Sequence, residues 1–181
     1  MRVITGTARG KKLKELEGLD TRPTTDRVKE GLFNAIQFDV EGRQVLDLFA
    51  GTGQLGIEAL SRGAVGCTFV ELRRDAAVLT KENLILCGLS DKGRVHQGDY
   101  LAFLSACREK FDLIFLDPPY AGGLLEKALE AIAKIDIVSA NGIIVCESSQ
   151  EHTLPDLPDP YEKGREYRYG KIKIKLYSRK A

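Results

Sequence analysis

The chain has 181 residues, 43% of them hydrophobic, which suits one compact domain with a substantial core and excludes a disordered chain. It contains no run of about 18 apolar residues and no apolar N-terminal stretch, so a membrane span and a secretory leader are not expected and the cytoplasm is. The formal net charge of +1 conceals a division: residues 1–14 carry +5, residues 161–181 carry +6, and the body between them carries −10. Basic ends on an acidic body suit contact with a polyanion, although lysine-rich edge strands that resist aggregation give the same pattern.

In chain order, residues 1–17 read as a small hairpin around Gly6-Thr7-Ala8-Arg9-Gly10. A helix follows, capped by Thr25 or Asp26, with Val28, Leu32, Ala35 and Ile36 on one face and an end near Phe38. Strands and helices then alternate: strand 44–49, helix 54–62, strand 67–71, helix 73–87 with Ala76, Leu79 and Leu86 on one side, strand 94–97, helix 100–109, strand 111–117, helix 124–134 and strand 142–147. The runs Leu113-Ile114-Phe115-Leu116 and Ile143-Ile144-Val145-Cys146 are apolar throughout, as parallel strands covered on both faces are. After a proline-rich link at 154–160, residues 161–168 and 171–178 form a terminal hairpin. The expected fold is a doubly wound α/β sheet of five parallel strands closed by an antiparallel C-terminal pair. It forms a single domain, 1–181, with 1–38 as an N-terminal hairpin and helix extension and 39–181 as the core.

Gly51-Thr52-Gly53-Gln54-Leu55-Gly56 joins the first strand to its helix, and Glu71 ends the next strand, twenty residues beyond Gly51. Glycines permit a sharp turn and close approach to a ligand, while a carboxylate at that strand end can accept both hydroxyls of a ribose. A dinucleotide and S-adenosylmethionine both carry a ribose. Asp47, just before the glycines, separates them, because it repels a pyrophosphate and attracts the positive end of an amino-acid-bearing cofactor. Asp99 follows the third strand, where it can accept from an adenine amine or simply cap the next helix.

Asp117-Pro118-Pro119-Tyr120 lies at the carboxyl end of the fourth strand, where open α/β sheets place ligands. The prolines remove two donors and stiffen the loop, leaving carbonyls and the Asp117 carboxylate as acceptors. An exocyclic base amine is a poor nucleophile because its lone pair is delocalised. Accepting its hydrogens on Asp117 and the Pro118 carbonyl favours the pyramidal form that attacks a methyl group, and Tyr120 offers a stacking face for an extruded base. His96 and His152 are isolated, Cys67, Cys87, Cys107 and Cys146 form no C-x-x-C pair and read as reduced thiols, and no metal cluster is expected.

The segments Arg22 to Asn34, Asp47 to Gly53 and Asp117 to Tyr120 resemble the bacterial 16S ribosomal RNA guanine-N2 methyltransferase family (RsmD type), over nearly the whole chain. The resemblance implies a Rossmann-like class I S-adenosylmethionine-dependent methyltransferase sheet, that cofactor as donor, and a guanine of 16S ribosomal RNA, free or in an assembling 30S particle, as acceptor. By position it implies that Asp47, Gly51, Gly53, Glu71, Asp99 and Thr24 serve the cofactor, that Asp117 to Tyr120 hold the target base, and that Arg22 and Thr24 line the mouth. Arg9, Lys11 and Lys12 are the expected RNA contacts. The alternatives are a DNA adenine-N6 methyltransferase, which in 181 residues lacks a module for reading DNA sequence, an NAD-dependent oxidoreductase, and a catalytically silent RNA-binding assembly factor.

Overall fold

A computed structural model describes residues 1–17 and 24–181. Helix α1 (Asp26–Ala35) precedes five parallel strands, β1 (Gln44–Asp47), β2 (Gly66–Glu71), β3 (Gly93–Gln97), β4 (Phe111–Leu116) and β5 (Val138–Ser149). Between them run α2 (Gln54–Ser61), α3 (Arg74–Leu86), α4 (Tyr100–Ala106) and α5 (Leu124–Ile135), and β6 (Tyr161–Tyr169) and β7 (Ile172–Arg179) follow. The strand order is β3-β2-β1-β4-β5-β7-β6, with β7 antiparallel to both neighbours. Progress outward from β1 to β3 and return to β4 on the other side of β1 opens a crevice at the carboxyl ends of β1 and β4.

Alternate residues of each central strand enter different cores. Val45, Leu113, Phe115 and Val145 pack with apolar residues of α1 and α2, while Leu46, Ile114, Leu116 and Ile144 pack with those of α4 and α5. Two covered faces explain the unbroken apolar runs.

Several boundaries differ from expectation for identifiable reasons. Thr25 caps α1 through its hydroxyl, 3.3 Å from the Val28 N–H, but the helix stops at Ala35, where Ile36 leaves helical geometry, and Phe38 is left 90% exposed. Helix α4 ends at Ala106, short of Glu109, because Cys107 is extended; the Glu109 carboxylate then reaches Arg94 of β3 at 2.7 Å. Strand β5 begins at Val138 rather than Gly142, paired to Phe111 across a register shift.

The expected apolar face of α3 is corrected. Leu86 is 41% exposed, and the buried positions are Ala76, Ala77, Thr80, Asn83 and Leu84. Polar groups turn inward here because backbone polar groups await them: the Thr80 hydroxyl donates to the Gly51 carbonyl at 2.9 Å, and the Asn83 amide donates to the Thr52 carbonyl at 2.9 Å. Asn83 also accepts from the Lys14 N–H at 2.8 Å and donates to the Lys14 carbonyl at 3.1 Å.

The expected N-terminal hairpin is present: Arg2 bridges Lys12, and Val3 N–H donates to Lys11, Gly10 N–H to Val3 and Leu13 N–H to Met1 across the turn. Other backbone groups of the hairpin bond to α2. The Glu58 carboxylate accepts from Ile4 N–H at 2.9 Å and Thr5 N–H at 3.0 Å, and Ser61 accepts from Thr7 and Ala8.

Candidate active site

At the carboxyl end of β1, Gly51 and Gly53 adopt φ of 58° and 88°, values that L side chains rarely take. The space in front of Gly51, where a Cβ would stand, is open. Glu71, ending the adjacent strand β2, ties the turn down: its carboxylate accepts from the Gly51 N–H at 2.7 Å and the Arg73 N–H at 2.9 Å. A carboxylate has about four acceptor positions, so capacity for two hydroxyl donors remains. Asp99 is exposed at the start of α4 and caps it, accepting from the Ala102 N–H at 3.0 Å; the capping role is therefore real.

Asp47 is 1% exposed, and one of its oxygens accepts from the Gly56 N–H at 3.0 Å. Among the described residues its other oxygen, and Oε1 of Gln54 on the far side of the glycine turn, are buried with no hydrogen-bond partner. Two unsatisfied acceptors beside an open glycine turn fit a cationic donor group such as the ammonium of an amino-acid moiety. Sequence reasoning missed Gln54, whose place inside the glycine motif was the available signal.

Burial pushes the Asp47 carboxyl up to about 7. A carboxyl raised on folding binds its proton more tightly in the native state, so its contribution to stability is greatest below about pH 4, the unfolded range, and declines as pH rises through about 7. Asp47→Asn is accordingly expected to flatten that part of the stability curve and to raise the melting temperature above pH 7 relative to the parent. Superimposable melting curves of the two proteins between acid and alkaline pH would contradict this.

On the other side of the crevice, β4 delivers Asp117, half-buried, with Pro118 buried behind it and Tyr120 41% exposed at the loop surface. The β1–β4 pairing, with Asp47 opposite Phe115, sets this loop beside the glycine turn. Thr24 is 2% exposed, and its hydroxyl oxygen lies 3.3 Å from Asp117 Oδ2 and 3.0 Å from Glu147 Oε2. Glu147, 5% exposed near the end of β5, was not singled out by sequence; it sits in an apolar strand with only its acidity to mark it. Arg22, expected at the mouth, lies outside the described residues, as does Pro23.

Thr24 also lines a groove of about 450 Å³ between the basic hairpin and the start of α1, together with Met1, Arg2, Gly10, Lys12, Glu15 and Asp26. Arg9, Lys11 and Lys12 are exposed and make no ion pair among the described residues. The C-terminal cations behave differently. Arg179 grips Asp136 at 2.8 Å, Lys163 pairs with Asp156, Arg168 with Glu166 and Lys180 with Asp159, while Lys173 is 6% exposed and bonds the His152 carbonyl. Much of that end's charge is therefore structural. His152 contacts Glu126, and His96 lies against Phe103 at a centroid distance of 5.2 Å. The four cysteines are unpaired, two of them in the core. Among the described residues no group of three or more His, Cys, Asp or Glu could hold a metal, and no helix is long and apolar enough to cross a membrane.

The strand order, the glycine turn after β1, the acid ending β2 and the loop after β4 together define a Rossmann-like class I S-adenosylmethionine-dependent methyltransferase fold. The family model named Conserved hypothetical protein 95 matches residues 1–178. Ribosomal RNA small subunit methyltransferase D of Escherichia coli strain K12 is 36% identical over 181 residues, spanning 100% of this chain and 91% of that protein. Its namesake in Haemophilus influenzae is also 36% identical, spanning 98% of this chain and 93% of that protein. The solved structure of yhhF from Escherichia coli superposes with a TM-score of 0.89 at 37% identity, covering 100% of this chain and 98% of that one. The chain belongs to the Conserved hypothetical protein 95 family, the RsmD type of methyltransferase.

Proposed function

We propose that this protein transfers the methyl group of S-adenosylmethionine to the exocyclic N2 amine of a guanine in 16S ribosomal RNA, acting in the cytoplasm on the RNA or on an assembling 30S particle. The observation that carries the reading is the juxtaposition of the Asp117-Pro118-Pro119-Tyr120 loop with the glycine turn across the β1–β4 pair. The relatives named above, small-subunit ribosomal RNA methyltransferases aligned over almost their full lengths, support the substrate class.

Bound S-adenosylmethionine supplies a methyl group made electrophilic by its sulfonium. Glu71 would hold its ribose hydroxyls, Gly51 and Gly53 would let the backbone approach, Asp47 and Gln54 would face its ammonium, and Asp99 would receive its adenine amine. Asp117 and the Pro118 carbonyl accept the two amine hydrogens, so the nitrogen lone pair turns toward the methyl carbon, and Tyr120 stacks on the base. Transfer of the methyl group from sulfur to nitrogen would release S-adenosylhomocysteine and leave the amine acidic, so that its proton would pass to Asp117 or to solvent.

Glu71→Ala is expected to weaken S-adenosylhomocysteine binding by about 1.5–3 kcal/mol, the worth of hydrogen bonds to a charged acceptor. Calorimetry showing unaltered affinity, or tight NAD binding by the parent, would refute the donor site. The acceptor is tested by mapping label from tritiated donor onto naked 16S RNA, 30S particles and duplex DNA, with labelled guanine N2 in RNA as the expected result and labelled adenine in DNA as the opposite one. Neutralising Arg9, Lys11 and Lys12 together is expected to weaken RNA binding and to reduce the slope of log affinity against log salt by roughly 2–3, with cofactor affinity unchanged. An unchanged slope returns the hairpin charges to the solvated surface.

A further inference from the structure

A carboxylate keeps its charge where water or hydrogen-bond donors surround it, and Asp47 has little of either. It is 1% exposed, one oxygen accepts from the Gly56 N–H at 3.0 Å, and the other oxygen has no hydrogen-bond partner among the described residues. Few other groups face it. From β2 come the Glu71 carboxylate, which repels a second negative charge, and the Cys67 thiol, which burial keeps protonated. Helix α2 supplies the Gly56 N–H, and β4 places Phe115 opposite Asp47. None of these is a cation, so burial first and Glu71 second oppose ionisation, with the single amide hydrogen bond pulling the other way.

Binding a proton removes the buried charge. The carboxyl is pushed up to about 7, so near neutral pH it is divided between its two forms. Gln54 Oε1 is also buried without a partner among the described residues, but an amide does not titrate in this range. Of the two orphan acceptors, only Asp47 answers to pH.

We propose that the methyl donor binds by exchange: its ammonium enters beside Asp47 and Gln54, and the proton held by Asp47 leaves to solvent. The inference rests on the reading that these two residues face the ammonium. A neutral carboxylic acid and a cationic ammonium give a carboxylate–ammonium pair and a proton taken up by the buffer; no bond of the donor changes and no further reactant is needed. The ammonium brings N–H donors and a positive charge to two oxygens that lack both, which stabilises the ionised form of Asp47. By reciprocity, protons and donor compete, so affinity for the donor falls as the pH falls.

Calorimetric titration of S-adenosylhomocysteine into the protein, repeated in buffers of different ionisation enthalpy, counts the protons. About 0.9 protons should be released per ligand bound at pH 6, about 0.5 at pH 7 and about 0.1 at pH 8, following the protonated fraction of a group that titrates at about 7. Affinity should be about tenfold weaker at pH 6 than at pH 8. Asp47→Asn has no carboxyl proton to lose, so it should release none and bind equally well at both pH values. Gln54→Ala should weaken binding to the same degree at each pH and leave the proton count alone. Adenosine carries the ribose and base without the amino-acid moiety; with the parent protein it should release no protons, and it serves if the Asp47 variant does not fold.

Identical observed enthalpies in all buffers at pH 6 overturn the proposal. So does undiminished release by Asp47→Asn, which would place the proton elsewhere, or equal release with adenosine, which would place it at the ribose end near Glu71. Failure of the underlying reading is separately visible. S-adenosylhomocysteine that does not bind the parent, or that binds Glu71→Ala with parent affinity, removes the donor site itself, whereas pH-independent binding that Glu71→Ala still weakens removes only the exchange.

Discussion

Asp117→Ala is expected to lower the single-turnover methyl-transfer rate by about 10²–10³-fold with saturating donor, while RNA affinity changes little. The asymmetry would follow from timing: a neutral amine in the ground state needs little from a carboxylate, whereas positive charge grows on the nitrogen in the transition state, which is when the proposed acceptor Asp117 would stabilise it. Asp117→Asn divides the contributions. Its amide oxygen still accepts a hydrogen bond but carries no charge, so retained activity points to geometry and abolished activity to charge or proton acceptance. The neighbouring side chain should behave differently. Tyr120→Phe keeps the stacking face and most of the activity, and Tyr120→Ala should lose about 1–3 kcal/mol of base capture. Parent-like transfer by Asp117→Ala, or matching behaviour of the two Tyr120 variants, would show that the chemistry happens elsewhere.

The second large effect lies at Glu58, away from the chemistry. Its carboxylate and the Lys29 ammonium are both wholly buried and 3.5 Å apart, Arg62 Nε adds a contact at 3.0 Å, and the Ile4 and Thr5 amides complete the cluster. Lys29 also donates to the Arg2 carbonyl, and burial lowers its pKa against the pull of Glu58. Removing one partner of a buried pair strands the other, so Glu58→Ala should cost about 3–5 kcal/mol. For a domain of this size that is a fall of roughly 10 °C in melting temperature. Lys29→Met in the same background should recover part of the loss by deleting the stranded charge. A Glu58→Ala protein that melts with its parent would show that the clamp contributes nothing. The cluster also holds the hairpin that carries Arg9, Lys11 and Lys12, the residues proposed to contact RNA.

Asn83 makes a comparable link on the other side of the hairpin, joining Lys14 to the Thr52 carbonyl of the glycine turn. Neither link was legible in advance. Glu58 and Asn83 carry no sequence signal, and only their neighbours in space distinguish them. The pairing of the C-terminal charge was hidden for the same reason, because the acids that meet it include Asp136 and Asp156, outside the basic segment.

The order of strands and helices, the glycine turn, the acid that ends β2 and the proline loop after β4 are all legible in the residues alone. These are local patterns: backbone conformation and side-chain periodicity are set within a few residues, so glycine spacing and apolar runs can be read directly. Tertiary structure alone decided which polar groups meet. Thr24 reaches Asp117 across 93 positions and Glu147 across 123, and α3 turns Thr80 and Asn83 inward where apolar periodicity pointed to Leu86. A buried polar side chain goes where its hydrogen bonds can be satisfied, and the partners that satisfy it are supplied by distant segments brought together only in the folded chain.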